Sequence, residues 1–232
     1  MSMTDRLCLA LDVPDLQTAE SWVHRTQGAF SVYKIGLQLF LAEGPRVVER
    51  VIAAGAPSVF LDLKLHDIPR TVARAVSSLE GLGVRYLTLH TAGGREMLSA
   101  AAEAATKAGI QLLGVTVLTS LDDQGLGETG VAESSAACVS RRSRLALDSG
   151  VKGLVCSALE VHSLRAELGP DCTLVTPGIR LAGGAVGDQK RVATPASAIE
   201  AGASLLVIGR AVTAASDPEA AVRAIQADLR HA

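Results

Sequence analysis

The residues with the clearest chemical content lie in VFLDLKLHDIPRT, positions 59 to 71. Asp62 and Lys64 stand two apart near the end of an apolar run that reads as a β-strand. Strand side chains alternate between faces, so the two point the same way. In a sheet covered on its other face by helices, that direction is the interior, where charges are costly unless paired. Lys34, in the apolar run SVYKIG, adds a second cation. Asp67 adds a second anion at the start of the following helix. For a D-x-K element alone, a structural ion-pair network is an equal alternative. Four charges gathered at strand ends favour a site, because perturbed charges cluster where chemistry is done. A fixed ammonium beside a carboxylate can stabilise a developing anion and deliver a proton.

A second group suits an anion. Positions 178 to 191, GIRLAGGAVGDQKR, combine four glycines with three cations, so the segment can bend and close over a charged group. Gly209-Arg210 follows another apolar run and offers a backbone N–H and a guanidinium, a good pair for phosphate. A solvated loop is the plain alternative. His66 and His90 read as packing or supporting residues, and Trp22 as packing on the first helix.

Such residues need a scaffold that gathers strand ends. Eight apolar runs are available: Leu7–Leu11, Ser31–Ile35, Ser58–Leu63, Tyr86–Leu89, Gln111–Val117, Gly153–Val155, Thr173–Val175 and Ser204–Ile208. Helical patterns separate most of them, and strand–helix alternation implies a parallel sheet. Gly44-Pro45 marks the start of the second helix, with Pro at its first position. Ser157 and Glu160 read as a capping box, and Thr194-Pro195 starts a short helix to about Ala201. No linker or low-complexity tract interrupts the 232 residues. The expectation is a single (β/α)8 barrel domain over residues 1–232. That fold places chemistry at the carboxyl ends of its strands and often phosphate after strands 7 and 8. Asp12, Lys34, Asp62, Lys64, His90, Thr119, Arg180, Gln189 and Arg210 all fall at such ends or in the loops after them.

Composition narrows the function classes. Hydrophobic residues at 48% support a large core and exclude disorder. Aromatics at 3% leave that core to Ala, Val, Leu and Ile, as parallel strands prefer. A net charge of −2 gives no field to attract nucleic acid or an acidic membrane, although a local cation cluster can still hold a small anion. No apolar run reaches the ~18 residues of a membrane span, and MSMTDRLCLALDVPD lacks the core of a secretory signal. Cys8, Cys138, Cys156 and Cys172 fit no zinc or C-x-x-C spacing, so they read as reduced thiols of a cytoplasmic protein.

D-x-K-x-x-D followed by I-P-x-T resembles the signature of the orotidine 5′-phosphate decarboxylases. LALDVPD, YKIG, TVLTS, TPGIR, DQKRVATP and VIGRAV follow the same order, from Leu9 to Val212, in the manner of the family's shorter, bacterial-type form. One departure is Leu181, where PGIRL replaces the usual PGIRP. Losing that proline frees the loop's backbone but removes no reacting group. The resemblance implies conversion of orotidine 5′-phosphate to UMP and CO2, the last step of de novo pyrimidine nucleotide synthesis. It also implies a homodimer with shared sites and neither metal nor organic cofactor. Asp62 would face the substrate carboxylate, and Lys64 would donate the proton to C6. Asp12 and Lys34 would hold the ribose 3′-hydroxyl, with Lys34 also in the charged array. Asp67 and Thr71 would reach the ribose 2′-hydroxyl in the neighbouring subunit's site. Thr119 would contact the pyrimidine, Gln189, Gly209 and Arg210 the phosphate, and Arg180 the ligand.

Two other readings compete. A Mg2+-dependent phosphosugar decarboxylase or aldolase on the same barrel shares D-x-K-x-x-D, but the IPRT and DQKR segments favour the nucleotide enzyme. A barrel that only binds a nucleotide would not require a carboxylate opposing the substrate's own.

Overall fold

The computed structural model describes residues 4–181 and 193–230. Its strands are β1 (Leu7–Leu11), β2 (Val32–Gly36), β3 (Val59–Leu65), β4 (Val84–His90), β5 (Gln111–Val115), β6 (Gly153–Val155), β7 (Thr173–Thr176) and β8 (Leu205–Ile208). All pair in parallel and in chain order, and β1 closes on β8. The protein is therefore a (β/α)8 barrel.

Eleven α-helices surround the strands among the described residues: α1 (Leu16–Arg25), α2 (Leu37–Glu43), α3 (Arg46–Ala53), α4 (Pro69–Ser77), α5 (Gly94–Ala108), α6 (Asp123–Glu128), α7 (Ser135–Asp148), α8 (Ala158–Leu168), α9 (Pro195–Glu200), α10 (Arg210–Thr213) and α11 (Pro218–Leu229). Their apolar stripes cover the sheet; α3 buries Val47, Val48 and Val51, and α5 buries Met97, Leu98 and Ala101. Inside the barrel, Cys8, Ala10, Val32, Phe60, Tyr86, Leu113, Val175, Leu205 and Val207 form a separate core. Phe60 and Tyr86 meet edge to face there at 6.2 Å.

Start signals in the sequence act as expected at two helices. Glu160 Oε2 accepts from the Ser157 backbone N–H at 2.8 Å, as a capping box requires. Thr194 caps α9 with Pro195 at its first position. The segment after β2 differs from expectation. LQLFLAE is itself a run of good helix formers and folds as α2, ending at Gly44 with φ +65. Gly44-Pro45 thus starts a further helix, and Pro45 is the N-cap of α3 rather than its first residue.

Arg165 on α8 ties the amino-terminal rim together. Its guanidinium donates to the carbonyls of Gly169, Cys172 and Gly202 and to Ser204 Oγ, at 2.6 to 3.1 Å. Replacing it leaves several half-buried carbonyls without a donor. Arg165→Met is expected to cost about 2–4 kcal/mol, lowering the melting temperature by roughly 5–15 °C. Thermal unfolding checks this, and steady-state activity at 25 °C should be unchanged.

Candidate active site

The carboxyl ends of β1, β2 and β3 carry the charged array. Lys34 points into the barrel with its side chain only 9% exposed. Its Nζ lies 2.9 Å from Asp12 Oδ1 and 3.5 Å from Asp62 Oδ2. Lys64 Nζ lies 2.7 Å from Asp62 Oδ1. The four groups thus alternate in sign along Asp12, Lys34, Asp62 and Lys64. Burial alone would push the Asp62 carboxyl up. The ammonium groups of Lys34 and Lys64, with hydrogen bonds from Lys64 and Thr88, outweigh this and hold it below its ordinary value. Burial would likewise lower Lys34, but Asp62 and Asp12 raise it on balance. Cys8 lies close below, and burial pushes its thiol far up, so it stays neutral.

The route by which Lys64 reaches this array departs from simple alternation. The β3–β4 pairing runs from Leu61 opposite Leu87 to Leu65 opposite Leu89. β3 therefore spends four residues where β4 spends two, as a bulge does. Lys64 sits in that bulge at φ +51, alone among the described non-glycine residues in having positive φ. Such a conformation costs about 1–3 kcal/mol and persists where surroundings enforce it. Thr88 on β4, which is fully buried, meets Lys64 there. Its Oγ1 accepts the Lys64 backbone N–H at 2.9 Å and donates to Asp62 Oδ1 at 3.0 Å.

These groups open into a cavity of about 390 Å³. One end is charged, with Asp12, Lys34, Asp62 and Lys64. Val115, Val117, Val155, Val175 and Val207 add apolar lining, and Thr119 joins them. Gly178, Arg180, Gly209, Arg210 and Thr213, from the segments after β7 and β8, line it as well. Burial lowers the Arg180 guanidinium from its ordinary value, and the nearby Arg210 adds to the shift. Two cations held in proximity are a natural anion site.

Asp12, Lys34, Asp62, Lys64, Thr119, Arg180, Gly209 and Arg210 are therefore brought together as the sequence implied. Asp67 and Thr71 are not among the residues lining this cavity, and both are exposed. Asp67 Oδ1 accepts from the Ile68 N–H at 2.6 Å, just before α4. Gln189 lies outside the described residues. The rings of His66 and His90 lie 5.5 Å apart, tilted by 41°, and do not line the cavity. Sequence reasoning missed Thr88 and Gly36. A Cβ at Gly36 would sit 2.9 Å from Asp12 Oδ1 and 3.3 Å from Lys34 Nζ, so glycine leaves room for that pair. Thr88 had a signal, a polar residue two after Tyr86 in an apolar strand. Among the described residues, no group of three or more His, Cys, Asp or Glu could hold a metal ion. No described helix is long and apolar enough to cross a membrane.

Comparison with known proteins agrees with the fold. The model of the orotidine 5′-phosphate decarboxylase / HUMPS family matches residues 5–225. An orotidine 5′-phosphate decarboxylase of Thermobifida fusca is 50% identical over 98% of this chain and 97% of its own. One from Anaeromyxobacter sp. strain K is 49% identical over 99% of this chain and all of its own. Among solved structures, an orotidine 5′-phosphate decarboxylase from Lactobacillus acidophilus superposes with a TM-score of 0.83 at 35% identity. That alignment covers 97% of this chain and 99% of the other. A family match over nearly the whole barrel, with relatives half identical from end to end, establishes that the chain belongs to the orotidine 5′-phosphate decarboxylase / HUMPS family.

Proposed function

We propose that this chain, as one catalytic domain, converts orotidine 5′-phosphate to UMP and CO2 without a metal or organic cofactor. The observation that carries the reading is the Asp12–Lys34–Asp62–Lys64 array opening into one partly apolar cavity together with Arg180 and Arg210. Orotidine 5′-phosphate carries the groups such a lining suits: a carboxylate-bearing ring, a ribose and a phosphate.

The Asp62 carboxylate faces the substrate carboxylate. Their repulsion is relieved when the C6–carboxylate bond breaks and CO2 departs. The bonding pair stays on C6, where the Lys64 ammonium stabilises it and then supplies its proton. Solvent returns a proton to Lys64, so one substrate and one proton give UMP and CO2. Valines around the ring exclude water and strengthen these electrostatic effects. Lys34 and Asp12 hold the ribose 3′-hydroxyl, Thr119 contacts the pyrimidine, and Arg180, Gln189, Gly209 and Arg210 act at the phosphate end. Asp67 and Thr71 serve the site of a second copy in a homodimer. A cytoplasmic location fits the four free, buried cysteines.

Both oxygens of Asp62 are engaged, Oδ1 by Lys64 and Thr88 and Oδ2 by Lys34, which supports a charge array over a metal ligand. The direct test follows the absorbance change as purified protein consumes orotidine 5′-phosphate, with and without EDTA. Turnover unaffected by EDTA is expected. No turnover, or turnover lost with EDTA and restored by Mg2+, overturns the reading.

A further inference from the structure

We propose that Thr88 is a positioning residue for the decarboxylation, its hydroxyl locking the Lys64 backbone to the Asp62 carboxylate. This rests on the roles assigned above to Asp62 and Lys64. A threonine hydroxyl has one proton to give and lone pairs to accept. Here both capacities are used inside the site: the proton goes to Asp62 Oδ1 and a lone pair takes the Lys64 N–H. The Lys64 N–H needs a partner because the bulge skips the regular pairing between Leu61 and Leu65. Asp62 Oδ1 also receives the Lys64 ammonium at 2.7 Å. Backbone N–H, hydroxyl, carboxylate and ammonium thus close a ring in which both reacting side chains share one anchor.

The consequence is directional. Lys64 holds a left-handed backbone at φ +51, and the regular strand conformation would aim its side chain elsewhere. With the hydroxyl gone, the bulge loses the contact that holds this conformation, and Asp62 loses a donor that helps keep it ionised. Thr88 bonds Lys64 and Asp62 and none of the groups assigned above to the ribose or the phosphate. The loss therefore falls on the chemical step and not on binding.

The test compares Thr88→Val, which keeps the volume and removes the hydroxyl, with Thr88→Ser, which keeps the hydroxyl and removes a methyl. Thr88→Val is expected to lower kcat roughly 30- to 100-fold with KM and UMP affinity within about threefold, as a small misplacement of a reacting group does. Thr88→Ser is expected to stay within about fivefold of wild type on the same argument. A packing role predicts the reverse order, so a valine variant as active as wild type, or a serine variant as slow as the valine one, overturns the proposal. If Thr88→Val does not fold, Thr88→Cys replaces it, since a thiol is a weak donor and acceptor of similar size. A loss of at least about tenfold is then expected, and a kcat within about threefold overturns the inference. Lys64→Ala is assayed in parallel. Should it remain active, the assignment of Lys64 fails and the role of Thr88 with it. Should it be inactive while Thr88→Val is not, only the role of Thr88 fails.

Discussion

Lys64→Ala is expected to lower kcat/KM by at least about 10⁴-fold while the barrel stays folded. Two losses combine in that figure. A positioned general acid contributes about 10²–10⁴-fold, and a preorganised group facing developing charge about 10²–10³-fold. Lys64 is placed for both, with Nζ at 2.7 Å from Asp62 and its side chain 31% exposed at the cavity. Lys34 does not substitute, because its ammonium is already held between Asp12 and Asp62. The truncation also removes the cation of a close ion pair with Asp62. Asp62 keeps Lys34 and the Thr88 hydroxyl, so its carboxylate remains partnered and the fold persists. Circular dichroism and UMP titration establish a folded, binding-competent variant, and an absorbance assay reads the rate. A rate within tenfold of wild type would remove Lys64 as the proton donor.

The eight strands were legible in the sequence because apolar runs bounded by polar or turn-forming residues mark them. β1, β2, β6, β7 and β8 and the starts of β3 and β5 agree to within a residue with the expected runs. Val84 and Arg85 were missed at the start of β4, since exposed Arg85 breaks the apolar pattern and lies over the Tyr86 ring instead. Val117 continues the apolar run beyond β5 but lines the cavity as loop, so hydrophobicity there reports the site rather than a strand. α2 was hidden because sheet and helix meet directly at Gly36, without a break in hydrophobicity.

At the site, the pairing of Asp62 with Lys64 was foreseen from their spacing, but the means was not. Alternation assumes a regular strand, whereas a bulge and a left-handed residue bring the ammonium back to the carboxylate. Bulges depend on the register of the neighbouring strand, and a single strand's sequence does not encode that register. Thr88 belongs to the same class of omission. Its importance arises from what β3 does opposite it, not from its own neighbours in the chain. Arg180 and Arg210 were legible because the barrel's topology alone brings the loops after β7 and β8 together.

Subunits of Lys64→Ala and Asp67→Ala, allowed to exchange, are expected to regain activity that neither has alone. Asp67 and Thr71 are exposed and outside the cavity of their own chain, although the sequence resemblance places them at substrate. Ile68, beside Asp67, is an apolar side chain left 66% exposed, which supports a second copy covering this edge. If Asp67 reaches a neighbouring site, each site takes Lys64 from one chain and Asp67 from the other. A mixed dimer then has one site with both intact and one with neither. In a symmetric dimer, random exchange makes half the dimers mixed, so recovery is capped at about one quarter of wild-type activity by site counting. Starting from parents whose rates are at least about 10³-fold depressed, that is a gain of a few hundredfold. Co-expression with two different tags, followed by tandem purification, isolates the mixed species and raises the ceiling to about one half on the same count. Native mass spectrometry verifies its composition. Verified heterodimers with no more activity than their parents would mean that Asp67 serves its own chain, and a monomer throughout would dispose of the shared site altogether.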